Sequence, residues 1–363
     1  MGGSGADARR RVVLSIYDDL DNPHYAGGGP AVVARVAQRL VAEGYAVTVY
    51  CGSYRGAVSG DRGGVRYVHL PVGWAGPRGG QILFWLLLPL VALVVRPAVW
   101  IESLTPPVSA SLVPLTARCP VVGLVQMLCG ADMQRRYHLP FEAIERRGLA
   151  LYRHYVTLND VDADLVAAAG PRATVRVIPN GVELPERATP ATGMVLLYLG
   201  RIDVEQKGLD LLLEALPDGG SLEIAGSGTA AEEAKLAALV DGDPRVRMLG
   251  RVQGAAKEAA LARCAVVVVP SRYETFSLTA LEAMSHGRPV IHFDLPRLAW
   301  IGREGGIAVP SFSVPHLHDA MARMLADREG RVAMGRAARR HSLGYDRRIT
   351  EERYVDLVAG LTG

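Results

Sequence analysis

Glu274 and Glu282 stand with seven residues between them in the segment Pro270-Ser-Arg-Tyr-Glu-Thr-Phe-Ser-Leu-Thr-Ala-Leu-Glu-Ala-Met-Ser-His-Gly-Arg-Pro-Val290. The segment follows the apolar run Val266–Val269, and its pattern predicts a helix from near Ser277. A helix start offers unpaired N–H groups, here from about Phe276 to Thr279, and the positive end of the helix dipole, which together suit a diphosphate. Glu282, one to two turns further in, can face a ribose, whose two hydroxyls match the two oxygens of a carboxylate. Taken alone, the two glutamates read as ordinary helix-start residues, Glu274 matching the dipole and Glu282 solvated.

Cations occur at a second strand end. Gly200-Arg201-Ile202-Asp203 follows the apolar run Val195–Leu199, and Lys207-Gly208 comes six residues after Arg201. Two fixed cations there would neutralise a diphosphate, while separately each reads as solvated surface charge. Near the N-terminus, Asp18, Asp19, Asp21 and His24 occupy a loop that ends in Gly27-Gly28-Gly29. His24 divides evenly between an acceptor contact and a solvated loop residue. Arg135, Arg136, Arg146, Arg147 and Arg153 face only Glu142 and Glu145 in a helical stretch. This basic segment suits anionic lipid or a phosphorylated acceptor, or else is a solvated face.

The elements that position these residues alternate between strand and helix. Val12–Tyr17, Ala46–Cys51, Val65–Leu70, Ala98–Glu102, Val121–Gln126, His154–Leu158 and Val175–Ile178 read as strands, with Pro30–Glu43 a helix that starts on proline and stops at Gly44. Glu183–Gly193 carries Pro185, Pro190 and Gly193 among polar residues, which is linker chemistry. A second series follows: Val195–Leu199, Leu222–Ala225, Val246–Leu249, Val266–Val269 and Val290–Phe293. The rhythm predicts an α/β chain of two tandem Rossmann-like, doubly wound domains facing across a cleft. The domains are expected over residues 1–185 and 186–345, followed by a helix over 346–363 that could pack back on the first domain.

The ordered set of motifs resembles glycosyltransferase family 4, retaining enzymes of the GT-B fold. It comprises Gly27-Gly28-Gly29, Ile178-Pro-Asn-Gly181, Gly200-Arg201 with Lys207-Gly208, Ala225-Gly-Ser-Gly228, the Glu274 to Glu282 spacing and Gly287-Arg-Pro-Val290. The resemblance runs from about Val12 to Val309. It implies transfer of a hexose-type sugar from a UDP-sugar or GDP-sugar, with no cofactor and no metal. Arg201 and Lys207 would hold the diphosphate beside Gly200 and the amides of Phe276, Ser277 and Leu278. Glu282 would bind the ribose, and Glu274 would hold the sugar near the reacting carbon. Gly28 and Gly29 would let backbone approach the phosphate or acceptor. Ser277 stands where many members have glycine, Gln126 lies where many have a sugar-facing histidine, and Asp294-Leu-Pro-Arg297 replaces a glycine-rich turn. The donor sugar stays open, and the acceptor is a small metabolite, lipid or saccharide.

Composition bounds the rest. The 363 residues exceed one core, and 49% hydrophobic against 21% charged residues describes a globular chain. A net charge of +3 gives no indication of nucleic acid as a partner. Cys51, Cys119, Cys129 and Cys264 form no Cys-x-x-Cys pair and read as free thiols. Met1–Arg11 lacks the apolar stretch of a leader, so a cytoplasmic place is expected, with peripheral membrane contact through the basic segment as an addition. Ile82–Val95, broken by Pro89, is too short to span a bilayer and reads as a core or partly interfacial helix, with a membrane-surface role as the alternative. Other readings are a sugar-nucleotide epimerase, a phosphorylase-like enzyme, a non-catalytic binder of the same fold and, more remotely, an NAD-dependent dehydrogenase built on Gly226-Ser-Gly228. Fixed cations and helix amides at one diphosphate make a divalent ion unnecessary, so turnover is expected to survive a chelator. Loss of turnover on chelation, restored by magnesium or manganese, would redirect attention to Asp18, Asp19 and Asp21 as ligands.

Overall fold

The computed structural model describes residues 10–22, 28–106, 109–188 and 193–362. The chain divides into two compact units: one holds the chain up to Pro179 and again from Thr350, the other runs from Asn180 to Ile349. The chain therefore passes from one unit to the other twice, at Pro179–Asn180 and at Ile349–Thr350.

The first unit contains β1 (Arg11–Ser15), α1 (Gly28–Ala42), β2 (Ala46–Gly52), β3 (Gly60–Arg62), β4 (Val65–Leu70), α2 (Gly76–Val94), β5 (Val99–Leu104), α3 (Val113–Thr116), β6 (Val121–Val125), α4 (Gly130–Tyr137), α5 (Phe141–Leu149), β7 (His154–Thr157), α6 (Asp160–Ala169) and β8 (Thr174–Val177). Its eight strands run in the order β3-β4-β2-β1-β5-β6-β7-β8, parallel except for β3. The short, exposed and polar β3 carries no apolar pattern, so its sequence does not announce a strand. Arg62 ties it to Asp19 after β1. Trp100 is completely buried in the sheet, donates from Nε1 to Ser15 Oγ at 3.0 Å and stacks on Tyr50.

The second unit contains β9 (Val195–Leu199), α7 (Leu209–Glu214), β10 (Leu222–Ala225), α8 (Ala230–Val240), β11 (Val246–Gly250), α9 (Ala255–Arg263), β12 (Cys264–Val269), α10 (Leu278–Ser285), β13 (Val290–Phe293), α11 (Gly302–Gly305), β14 (Gly306–Val309), α12 (Val314–Ala326) and α13 (Arg328–Ser342). The sheet order is β11-β10-β9-β12-β13-β14, wholly parallel. This is the doubly wound order in which the chain reverses direction between its first and fourth strands, here β9 and β12. Every residue of β12 is buried because helices cover both faces: Val266 and Val268 enter one apolar layer, Val267 and Val269 the other.

The final helix, α14 (Arg347–Thr362), begins on the second unit's last residues and lies mostly in the first unit. Tyr354, Leu357 and Val358 are buried, Thr350 Oγ1 donates to Pro179 O at 3.0 Å, and Glu352 accepts from Arg39 of α1 at 2.8 Å. The four cysteines are free thiols, Cys51, Cys129 and Cys264 being buried.

Glu102 on β5 is buried, and Tyr152, itself a hydrogen-bond acceptor for Ser111 N, donates to it at 2.8 Å. Burial pushes this carboxyl up to about 7, against the opposing hydrogen bonds from Ser111 and Tyr152. The folded form keeps its proton where the unfolded form has released it. The contribution of Glu102 to stability therefore falls as pH rises from 4.5 to about 7. Glu102→Gln, which still accepts from Tyr152, is expected to flatten that slope in denaturant unfolding across the window.

Candidate active site

The carboxyl ends of β9 and β12 are adjacent in the second sheet, and the loops that leave them run against each other. Gly208, in the loop after β9, has φ +64° and lies so close to the chain after β12 that a Cβ would come within 1.9 Å of Pro270 O. Arg272 N donates to Gln206 O at 2.9 Å, and the Arg272 guanidinium grips both oxygens of Asp210 at 2.8 and 2.7 Å. Burial works against the Asp210 charge, but the hydrogen bonds and positive charge of Arg272, together with backbone N–H groups at the start of α7, hold the carboxyl below its usual range. No local signal marks Arg272 and Asp210, because 61 residues lie between them and only the sheet order brings them together.

This contact brings several of the candidate residues together. Lys207 Nζ reaches Glu274 Oε1 at 2.6 Å, and Ser271 Oγ donates to the same oxygen at 2.8 Å. Among the described residues both bonds fall on Oε1, which leaves Oε2 to accept from another group. Arg201 projects from the same loop, bonded to Asp203 at 3.1 Å and Gln206 at 2.6 Å. Ser277 is the N-cap of α10: its hydroxyl accepts from Ala280 N at 3.2 Å. Serine in place of glycine therefore fixes the helix start, and Leu278 is the first helical residue. Phe276 turns inward and stacks on Trp300 at 4.4 Å, which packs in turn on Tyr345. An aromatic prop that the sequence did not reveal thus holds the loop carrying the Phe276 amide. Glu282 lies on α10 and pairs with Lys257 of α9 at 2.8 Å.

The glycines after β10 have a structural use. A Cβ on Gly226 would stand 1.8 Å from Gly200 O, and one on Gly228 would stand 2.3 Å from Ile202 O. Gly200 N and Ile202 N donate to Ala225 O and Ser227 O at 3.0 and 2.9 Å. These glycines bring backbone onto the Arg201 loop and follow the second strand of their sheet, not the first, where a dinucleotide fingerprint belongs.

In the first unit the reversal point lies between β1 and β5. Gly28 and Gly29 open α1, and a Cβ on Gly29 would stand 3.5 Å from Gln126 Oε1, so these two candidates are neighbours. Gln126 Nε2 is buried with no partner among the described residues. His24 and Gly27 lie outside the described residues. Asp19 is committed elsewhere: it accepts from Arg62 at 3.0 Å and contacts His69 Nε2 at 2.7 Å. Burial pushes the neighbouring Asp18 up to about 7. Of the basic segment, Arg135 is on α4, Arg146 and Arg147 are on α5, and the side chain of Arg136 lies outside the described residues. Glu145 does not oppose this charge at the surface. It accepts from Cys129 N and Gly130 N at 3.1 Å each, capping α4.

With this geometry in view, the likenesses to known proteins are informative. The model of Glycosyltransferase Family 4 matches residues 26–186, and that of Glycosyl transferases group 1 matches residues 193–327. The chain belongs to glycosyltransferase family 4. Phosphatidyl-myo-inositol mannosyltransferase of Mycobacterium leprae is 34% identical over 181 residues, 44% of this chain and 48% of that protein. Alpha-D-kanosaminyltransferase of Streptomyces kanamyceticus is 30% identical over 216 residues, 57% of this chain and 51% of that protein. The chain thus spans about half the length of the curated relatives it matches. Sucrose-phosphate synthase from Thermosynechococcus elongatus superposes with a TM-score of 0.80 at 20% identity, covering 97% of this chain and 99% of that one. The fold of this family member is therefore GT-B, with two Rossmann-like α/β units.

Within that fold, Gly208 sets how closely the two loops meet. Gly208→Ala would strain the positive φ and push Pro270 away, so a loss of about 2 kcal/mol or more in denaturant unfolding is expected. Unchanged stability would show that the loops separate freely.

Proposed function

We propose that the chain transfers a hexose-type sugar from a nucleoside-diphosphate sugar, UDP- or GDP-linked, to a hydroxyl acceptor, with retention of configuration and without a metal ion. The observation that carries the reading is the meeting of Lys207, Ser271 and Glu274 at the carboxyl ends of β9 and β12, with Arg201 on the same loop as Lys207. A doubly wound sheet binds its ligand at that point. The relatives named as mannosyl- and kanosaminyltransferases support a hexose-type group. The acceptor class is a small metabolite, a lipid or a saccharide, received by the first unit near Gly28, Gly29, His24 and Gln126.

As the bond from sugar to phosphate breaks, negative charge grows on the leaving diphosphate. Arg201, Lys207 and the amides at the start of α10 would stabilise that charge in place. Lys207 neutralises part of the Glu274 charge through Oε1, while Oε2 would accept from a sugar hydroxyl and hold the ring. Glu282 would take the ribose hydroxyls, exchanging its pairing with Lys257 for them. The departing phosphate would accept the acceptor's proton on the face where the acceptor attacks, so no opposed base is required. Glu274 and Glu282 belong to one loop-and-helix segment and are not the two facing carboxylates of a glycosidase.

Two measurements test the proposal. Removing one preorganised cation should cost about 3 kcal/mol in the transition state, roughly a hundredfold in rate, so Lys207→Ala is expected to turn over about a hundred times more slowly. Near-normal turnover would take Lys207 out of the site. Proton NMR of the first product from an α-linked donor should show an α-linkage, and an initial β-product would overturn retention.

A further inference from the structure

The most unusual surface in the molecule is one side of α2. Phe84, Leu88 and Ala92 form the stripe that packs on the first unit's sheet. A surface helix normally turns charged or polar residues the other way. Here Ile82, Leu86, Leu90 and Leu93 occupy the outward stripe, with Leu90 59% exposed. Leu112 and Leu115 extend the patch beside and within α3, Leu115 at 65% exposure, and α3 packs on α2. Trp74, just before α2, is 82% exposed. Isolated exposed leucines are ordinary, but a continuous stripe of them marks a surface that something covers.

The charge on the chain segment that carries the stripe points to the cover. Between Gly63 and Ala131 the only carboxylate is Glu102, which is buried. Arg96 just past α2 and Arg118 just past α3 are exposed, and Arg78 lies in the first turn of α2. A second copy docking through the same patch would set this cationic rim against itself, because a two-fold contact repeats one patch on both sides. Anionic phospholipid headgroups complement the rim, and acyl chains accept the leucines. Tryptophan favours the boundary between them, and arginine stems reach from the apolar layer to the headgroups. No helix among the described residues is long and apolar enough to cross a bilayer, so the contact would be peripheral.

We propose that the α2–α3 face seats the first unit on an anionic phospholipid surface, with the outward leucines entering the acyl layer and Arg96 and Arg118 at the headgroups. This assigns the principal contact to α2 and α3 in preference to the basic helices α4 and α5. The amino end of α2 adjoins the loops after β1 and β5: Gly80 lies against the Tyr17 hydroxyl, and Gln81 donates to Pro106 O. Docking would therefore bring the acceptor-side loops to the lipid surface. This surface stands apart from the sugar-transfer reading, since lipid binding can be measured with no donor present.

Co-sedimentation of the full chain with vesicles tests it, using phosphatidylcholine alone and phosphatidylcholine mixed with phosphatidylglycerol. The chain is expected to bind the mixed vesicles more strongly, and added salt should weaken that binding. The double variant Leu86→Gln with Leu90→Gln, checked by circular dichroism for native helix content, should lower the bound fraction by about tenfold or more. Arg96→Glu with Arg118→Glu should remove the preference for the anionic lipid, and Arg146→Glu with Arg147→Glu should leave binding nearly unchanged. Three results would overturn the proposal. One is failure of the wild-type chain to bind anionic vesicles. Another is a leucine variant that binds as well as wild type. The third is a stable dimer, seen by light scattering, that the leucine variant dissolves while vesicles stay unbound.

Discussion

The contact between the loops leaving β9 and β12 governs the second unit. Parallel strands place all their carboxyl ends on one edge, and the reversal of strand order separates the flanking connections there, so two loops meet with no helix between them. Gly208 lets the backbones touch at Pro270, and Arg272 bound to Asp210 keeps them together. Lys207 and Glu274, whose opposite charges would otherwise lie on separate loops, become partners through this contact. The same close approach makes the glycines after β10 necessary, because the Arg201 loop lies directly on their backbone.

That arrangement also explains the chemistry proposed for the site. Each charged group is held by a neighbour: Lys207 by Glu274, Arg201 by Asp203 and Gln206, Glu282 by Lys257. Held charges cost little reorganisation when a diphosphate must be stabilised. Ser277 fixes the start of α10, and the stack of Phe276 on Trp300 anchors the loop that leads into it. The groups proposed to surround the leaving phosphate are thus positioned by packing on the scaffold.

The first unit uses the same architecture with a different balance. Its acidic residues near the reversal point are drawn inward: Asp19 joins Arg62 and His69, and Glu102 is buried against Tyr152. Glu145 is drawn in as well, capping α4. The outer faces of α2 and α3 are left apolar, and exposed Arg96 and Arg118 follow the two helices. Removing carboxylates from that surface gives it a sign as well as a hydrophobic character.

The sequence by itself determined most of the elements and the kind of chemistry. Buried parallel strands need apolar runs, so nine of the fourteen strands could be read within one residue at each end, and β1, β5 and β12 within two. β3 and β14 escaped because three or four residues, without a distinctive apolar run, carry too little pattern. The motifs proposed to hold phosphate were legible because glycines, cations and a helix start must follow strand ends in order along the chain. Tertiary structure alone decided which loops meet, which of the acidic residues after β1 is committed to Arg62 and His69, and that Glu145 caps a helix. It also decided that α14 rejoins the first unit and that one whole side of α2 faces outward. The reason is the same throughout: a residue's partner across a sheet or on another helix lies tens of positions away, and local periodicity records whether a side chain is apolar but not which neighbour it meets.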